Sequence, residues 1–325
     1  MTAGLIVVIV AAPVAAAIIS ALVRVRHVGE YVNLAAAAVC LCATLILAFT
    51  REGPREFLNG YVLVDALGSW TLVCTAIVYF LASVYAIGYM RLLVEERERL
   101  PQFYALFAAF AATMVCGPLI NNIGVYWIAI ELTTLVSTFL VGFDKGQEAI
   151  EAAWKYIIVV SAGISLALLG TELFYWAGSL VIGPTYDVTW NTLRRAAPRM
   201  NPALTQMAFL LVLVGYGTKA GLAPMHTWLP DAHSEGPAPV SAMLSGALLN
   251  TAMLGVARFL TVTGAASPSL LPRTVLVGFG AFSLFVAALF IVLQRGIKRL
   301  MAYSIVDHIG VLAMGFGFGG PLAIA

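Results

Sequence analysis

Glu131, Glu172, Lys219, Arg258, Asp307 and His308 are the ionisable residues that fall inside long apolar runs of this sequence. At membrane depth such a group costs several kcal/mol unless it is paired or hydrated, so each is a candidate for handling ions. Arg258 and Glu172 lie toward the ends of their runs, where snorkelling to water accounts for them. Glu131 has no such escape, because it stands about midway between Asn121-Asn122 and Asp144 on a short stem. Lys219 follows sixteen mostly apolar residues and lies in Gly215-Tyr216-Gly217-Thr218-Lys219-Ala220-Gly221-Leu222-Ala223-Pro224. That run interrupts a helix: Pro224 removes an intrahelical hydrogen bond and the glycines add backbone freedom, so the freed carbonyls need water or polar partners. Broken helices at mid-membrane are where transporters place ion sites.

A glutamate and a lysine buried in one bundle suggest each other as partners. As a static pair they only fix helix packing. As a working pair, a carboxylate that approaches and withdraws switches Lys219 between holding and releasing a proton. His308 exchanges protons near neutral pH without tuning and is the third candidate, although a lone histidine on an apolar helix is also commonly just hydrogen-bonded in place. Asp307 points about 100° away from it around a helix. The stretch that follows Lys219 holds Pro224, His226, Asp231, His233, Glu235 and Pro239. Two histidines and two acids invite a metal, but their spacing matches no standard signature, and a gating or structural loop is the better reading. Glu95-Glu96-Arg97-Glu98-Arg99 alternates in sign, as expected of a helix cap at the membrane surface or a contact for a soluble partner. There is no phosphate-binding loop, dinucleotide fingerprint, CxxC pair or haem-spaced histidine pair, so no substrate-consuming or redox centre is expected in this chain.

The elements that must position these groups are membrane helices. Of 325 residues, 61% are hydrophobic and 10% charged, where a soluble domain carries about 25% charged. Apolar runs near 4–23, 31–49, 65–90, 102–119, 122–142, 152–182, 203–224, 239–263, 273–293 and 299–321 predict an all-α polytopic protein of about ten transmembrane helices, one of them broken near Lys219. The first run is read as a retained span rather than a cleaved signal. Residues 183–201 hold at most a short amphipathic helix. Cys40, Cys42, Cys74 and Cys116 all lie in apolar runs and imply neither disulfides nor a metal site. A net charge of +2 without a basic stripe excludes nucleic acid as a partner. Lysines and arginines are more numerous in the loops after the odd-numbered spans, which places those loops in the cytoplasm and the N-terminus outside.

Gly217-Thr218-Lys219-Ala220-Gly221-Leu222-Ala223-Pro224-Met225-His226-Thr227-Trp228-Leu229-Pro230-Asp231-Ala232-His233-Ser234-Glu235-Gly236-Pro237-Ala238-Pro239-Val240-Ser241-Ala242 resembles the signature of the antiporter-like membrane subunits of respiratory complex I, of Mrp antiporters and of group 4 nickel–iron hydrogenases. Ile128 to Leu135, Glu151 to Tyr156 and Ile297 to Ser304 resemble the same family, and Ala223 to His226 followed by Asp231 to Glu235, together with Glu151 to Tyr156 and Ile87 to Met90, resembles its hydrogenase-4 F branch. The resemblance implies a proton-translocating subunit of a respiratory redox complex. In it Glu131 modulates, Lys219 carries the proton on a broken helix seven, and His308 relays it. It divides the chain into helices 1–3 (1–100), a first five-helix repeat (101–263) and the start of a second (273–325). It puts iron–sulfur clusters and nickel–iron or flavin centres in peripheral partner subunits, and the chain in a prokaryotic inner membrane beside other membrane subunits. Two departures accompany it. Ser245 stands where relatives have a Lys or His on helix eight, so water held there must bridge the relay. The sequence also stops two helices into the second repeat, which implies a truncated or split relative with the remaining helices on another chain, or a lost half. An Mrp-type cation/proton antiporter without a redox partner, and a purely structural remnant, are the alternatives.

Overall fold

Lipid offers the backbone no donors or acceptors, so an apolar run long enough to cross it must satisfy its own N–H and C=O groups as a helix. The computed structural model of the chain describes residues 2–23, 25–50, 53–92, 99–144 and 146–319. In chain order it contains α1 (Thr2–Leu22), α2 (Arg26–Phe49), β1 (Arg55–Phe57), β2 (Val62–Val64), α3 (Ala66–Leu92), α4 (Leu100–Cys116), α5 (Ile123–Val141), α6 (Gln147–Ile182) and α7 (Trp190–Ala196). There follow α8 (Pro202–Ala220), α9 (Trp228–Glu235), α10 (Ala238–Met243), α11 (Leu249–Ala266), α12 (Leu271–Ile291) and α13 (Ile297–Phe318). A π-helical turn over Leu244–Leu248 joins α10 to α11 in one span. Ten helices among the described residues are long and apolar enough to cross a membrane, as the ten apolar runs predict.

Three departures from the sequence reading have physical causes. Helix α2 begins at Arg26 rather than near 31, so Glu30 is inside the helix. It is completely buried there, and Arg91 of α3 neutralises it at 2.7 Å. Helix α6 begins at Gln147, because the polar turn over 147–151 is as good a helix former as the apolar run it leads into. The segment between α2 and α3 forms a hairpin, with Arg55 opposite Val64 and Phe57 opposite Val62. Its turn places Leu58, Asn59 and Gly60 at positive φ. The short helix expected within 183–201 is α7, capped by the Thr189 hydroxyl, which accepts from the Thr192 N–H at 3.2 Å. Most of the charged cluster at 95–99 lies outside the described residues; Arg99 donates to the Phe143 carbonyl at 2.7 Å.

The chain divides into two compact units. The first comprises residues 1–120, 129–154 and 235–251. In it α1 packs on α2 and α4, and α3 packs on α2 and α10. Ile6, Ile9, Cys40, Leu47, Leu72, Val115 and Leu119 form one of its cores, and the Asn33 amide donates to the Tyr104 carbonyl at 3.0 Å between helices. The second unit comprises 121–128, 155–234 and 252–325. Its α12 and α13 form a tightly packed antiparallel hairpin.

Candidate functional site

Lys219 is the most deeply placed cation of the second unit, with none of its surface exposed. Local sequence explains its position. Asn201 caps α8 by accepting from the Ala203 and Leu204 N–H groups at 2.9 and 3.2 Å, and Pro202 fits the first turn. At the other end Gly221 takes the left-handed conformation, φ 82° and ψ 27°. The Gly221 N–H bonds to the Thr218 carbonyl at 3.2 Å and the Leu222 N–H to the Gly217 carbonyl at 2.9 Å, a Schellman termination. The interruption expected near Lys219 is therefore a clean helix end one residue beyond Ala220. Lys219 occupies the last turn, where a cation is favoured by the helix dipole.

The chain then passes through a cis Ala223–Pro224 bond into α9. Pro224 lines a shallow, open apolar groove with Val275, Gly278, Phe279 and Phe282 of α12. The Ala223 N–H is satisfied by the Ser283 hydroxyl at 2.9 Å.

Lys219 Nζ donates to the Tyr156 hydroxyl at 2.8 Å and stands 5.0 Å from the centre of the Tyr156 ring. Tyr156 belongs to α6 and is itself fully buried. Small residues let α6 and α8 approach so closely. Tyr156, Gly163 and Gly170 recur every seventh residue and share one face of α6. A β-carbon on Gly163 would lie 2.5 Å from Thr218 Cβ, and one on Gly170 2.8 Å from the Ala208 carbonyl oxygen. Helix α9, which follows the break, closes the site: the Trp228 ring packs at a tilt on Tyr156, 4.8 Å between centroids, and its indole N–H donates to the Thr218 carbonyl at 2.8 Å.

The residues of the connecting loop are distributed around this cluster. Asp231 is divided between Lys155 Nζ at 3.2 Å and Arg299 Nη2 at 3.0 Å. His226, half-buried, packs 6.3 Å from the Tyr303 ring, and burial holds its imidazole below the ordinary histidine range against a hydrogen bond with the Pro224 backbone that acts the other way. His233 is buried in α9, and loss of hydration pushes it down to about 4. Glu235 ends α9, and Pro239 is buried in the first turn of α10.

The remaining candidates are carried by other elements. Glu131 is half-buried on α5 in the first unit, where Thr134 Oγ1 donates to its Oε2 at 3.4 Å. Ser245 falls in the π-helical turn, also in the first unit, and its hydroxyl donates to the Ser241 carbonyl of its own helix at 3.0 Å. Such turns recur at functional positions because they re-aim side chains. His308 is on an exposed face of α13, with Nδ1 2.6 Å from the Ser304 carbonyl, and is not gathered into the Lys219 cluster. Arg258 does not snorkel: it is 6% exposed, with its guanidinium 5.6 Å over the Trp190 ring. An aromatic face makes burial tolerable where sequence position alone suggested an escape to water. Tyr156 and Trp228 are the site residues that side-chain chemistry in the sequence did not single out. Their signal is their place within the two stretches that carry the family resemblance.

Residues 121–325, from the start of α5 onward, match the family described as NADH:quinone oxidoreductase/Mrp antiporter, transmembrane. The chain belongs to this antiporter family. Among curated proteins it is similar to the hydrogenase-4 component F homolog of Methylacidiphilum infernorum, with 35% identity over 302 residues, covering 91% of this chain and 63% of that protein. Its fold is similar to a chain of the archaeal membrane-bound sulfane sulfur reductase, with a TM-score of 0.84 and 20% identity over 96% of this chain and 64% of that one. It is likewise similar to a chain of respiratory complex I from Thermus thermophilus, with a TM-score of 0.76 and 24% identity over 97% and 64%. The antiporter-family chain thus spans slightly under two thirds of the length of these relatives.

Proposed function

We propose that this chain is a proton-translocating, antiporter-like membrane subunit of a respiratory redox complex of the hydrogenase or NADH:quinone oxidoreductase kind. The observation that carries the reading is Lys219, an amine with no exposed surface whose ammonium donates to a neutral hydroxyl, Tyr156 Oη, at 2.8 Å. A hydroxyl can accept from an ammonium and donate to a free amine, so Lys219 keeps a partner whether or not it holds its proton. Glu131 modulates that proton, Lys219 carries it, water held near Ser245, in the turn between α10 and α11, bridges the gap, and His308, on an exposed face of α13, passes it toward the rest of the complex.

Iron–sulfur, nickel–iron or flavin centres belong to peripheral partner subunits, and further membrane subunits lie alongside. The chain sits in a prokaryotic inner membrane with its N-terminus outside. Residues 101–263 form one five-helix repeat and residues 273–325 begin its inverted counterpart. Family membership and the similarity to a hydrogenase-4 component support the assignment.

The test is gentle purification of the tagged chain followed by mass spectrometry of everything that accompanies it. Redox subunits in the preparation, and loss of proton movement in Lys219→Ala with assembly intact, are the expected result. Mrp-type small subunits, with sodium-dependent transport and no redox partner, would replace the reading by a cation/proton antiporter. Wild-type proton movement in Lys219→Ala would leave a structural role.

A further inference from the structure

We propose that Tyr156 is a positioning residue for the Lys219 amine, and that α9 is the brace that sets it from the membrane surface. The proposal rests on the reading of Lys219 as a proton carrier.

Two adjacent contacts join α6 to α9. In the interior, the Tyr156 and Trp228 rings pack at a 45° tilt with centroids 4.8 Å apart. One residue earlier on α6 and three residues later on α9, Lys155 pairs with Asp231 at 3.2 Å. Residues three apart share a helix face, so Trp228 and Asp231 present one surface to α6. The buried contact is neutral and the outer one ionic. Lys155 is 50% exposed and Asp231 20%.

The brace has two further fixings. The Trp228 indole N–H holds the carbonyl of Thr218, the residue before Lys219. On the far side, Arg299 of α13 pairs with the second Asp231 oxygen at 3.0 Å, and Lys298 donates to the Ser234 carbonyl at 3.2 Å. One eight-residue helix therefore contacts the backbone beside Lys219, the ring under its amine and two cations at the start of α13. A shift of α9 moves Tyr156 and the Lys219 backbone together. The hydroxyl fixes where the amine rests, and the surface ion cluster fixes where the hydroxyl rests.

Vesicles containing the full chain in its complex are used to read protons moved per electron, electron-transfer rate and the amount of assembled complex. Lys219→Ala abolishes proton movement if the carrier reading holds. Tyr156→Phe keeps the ring and its contact with Trp228 but removes the hydroxyl, and protons per electron fall roughly tenfold at unchanged assembly and electron transfer. Asp231→Asn weakens both ion pairs and lowers the same ratio, and Asp231→Glu restores most of it. A purely structural role would lower assembly, electron transfer and proton movement in step, and that result overturns the proposal. So does a wild-type ratio in Tyr156→Phe when Lys219→Ala is inactive, which leaves the carrier reading standing. A wild-type ratio in Lys219→Ala overturns the carrier reading itself. If Tyr156→Phe fails to assemble, Trp228→Phe, which keeps an aromatic ring against Tyr156 and loses the indole N–H, decides: a lowered ratio supports the brace and a wild-type ratio overturns it.

Discussion

Gly163 of α6 lies so close to Thr218 of α8 that a β-carbon built on the glycine would stand 2.5 Å from the threonine Cβ. Thr218 precedes Lys219, and Gly163 is two helical turns beyond Tyr156, so this contact sets how near the amine comes to the hydroxyl. In an open helix, Gly→Ala stabilises by about 1 kcal/mol. Here the added methyl has no room, and overpacking costs roughly 1–3 kcal/mol. Gly163→Ala is expected to lower the melting temperature of the purified protein in detergent. A raised melting temperature would show the helices are free to separate.

Gly221→Ala should also destabilise, by about 1–2 kcal/mol, because its φ of 82° is costly for a residue with a β-carbon. The new methyl would in addition meet Leu229 Cδ1. Gly221→Asn, whose side chain tolerates this conformation better, is expected to lose less. The two variants compared in one thermal denaturation series provide the check, and equal losses would discount the backbone argument.

His233 gives the fold an acid limit. The folded chain takes up that proton only near pH 4, whereas the unfolded chain takes it up near 6.5. The contribution is therefore complete above pH 6.5 and is lost as pH falls toward 4, by roughly 3 kcal/mol in all. Stability measured across that window should decline in the wild type and decline less in His233→Gln. Parallel curves for the two proteins would refute the assignment.

Arg91→Ala leaves the Glu30 carboxylate buried without its counter-charge, whereas Glu30→Gln removes the charge that needed one. The first substitution is expected to lower the melting temperature more than the second, and a reversed order would mean that Glu30 does not depend on Arg91.

The ten spans are legible because each is a run of apolar residues long enough to cross a bilayer. Lys219 is legible because a cation within such a run has no ordinary explanation. The break is legible because its glycines and proline act locally. Glu30 was hidden by the same reasoning: a charge at the edge of an apolar run looks like a loop residue until Arg91, sixty-one positions later, is seen beside it. Arg258 reads in the sequence as a residue snorkelling from a helix end because its aromatic neighbour Trp190 is remote in sequence. The pairing of Asp231 with Lys155 across seventy-six residues is of the same kind. Composition shows that such charges need partners, and only tertiary structure supplies them. The hairpin between α2 and α3 escaped notice because its strands are three residues each, too short for an alternating pattern.

The Schellman termination of α8 has a consequence for hydration. The carbonyls of Gly217 and Thr218 are already taken, the first by the Leu222 N–H and the shared Gly221 N–H and the second by the Gly221 N–H and the Trp228 indole. A water wire that reached Lys219 would find these two oxygens occupied and would have to anchor on side-chain hydroxyls instead. Conductance through this point should therefore respond to the loss of a single oxygen atom on Tyr156 more than to any change in the broken backbone beside it.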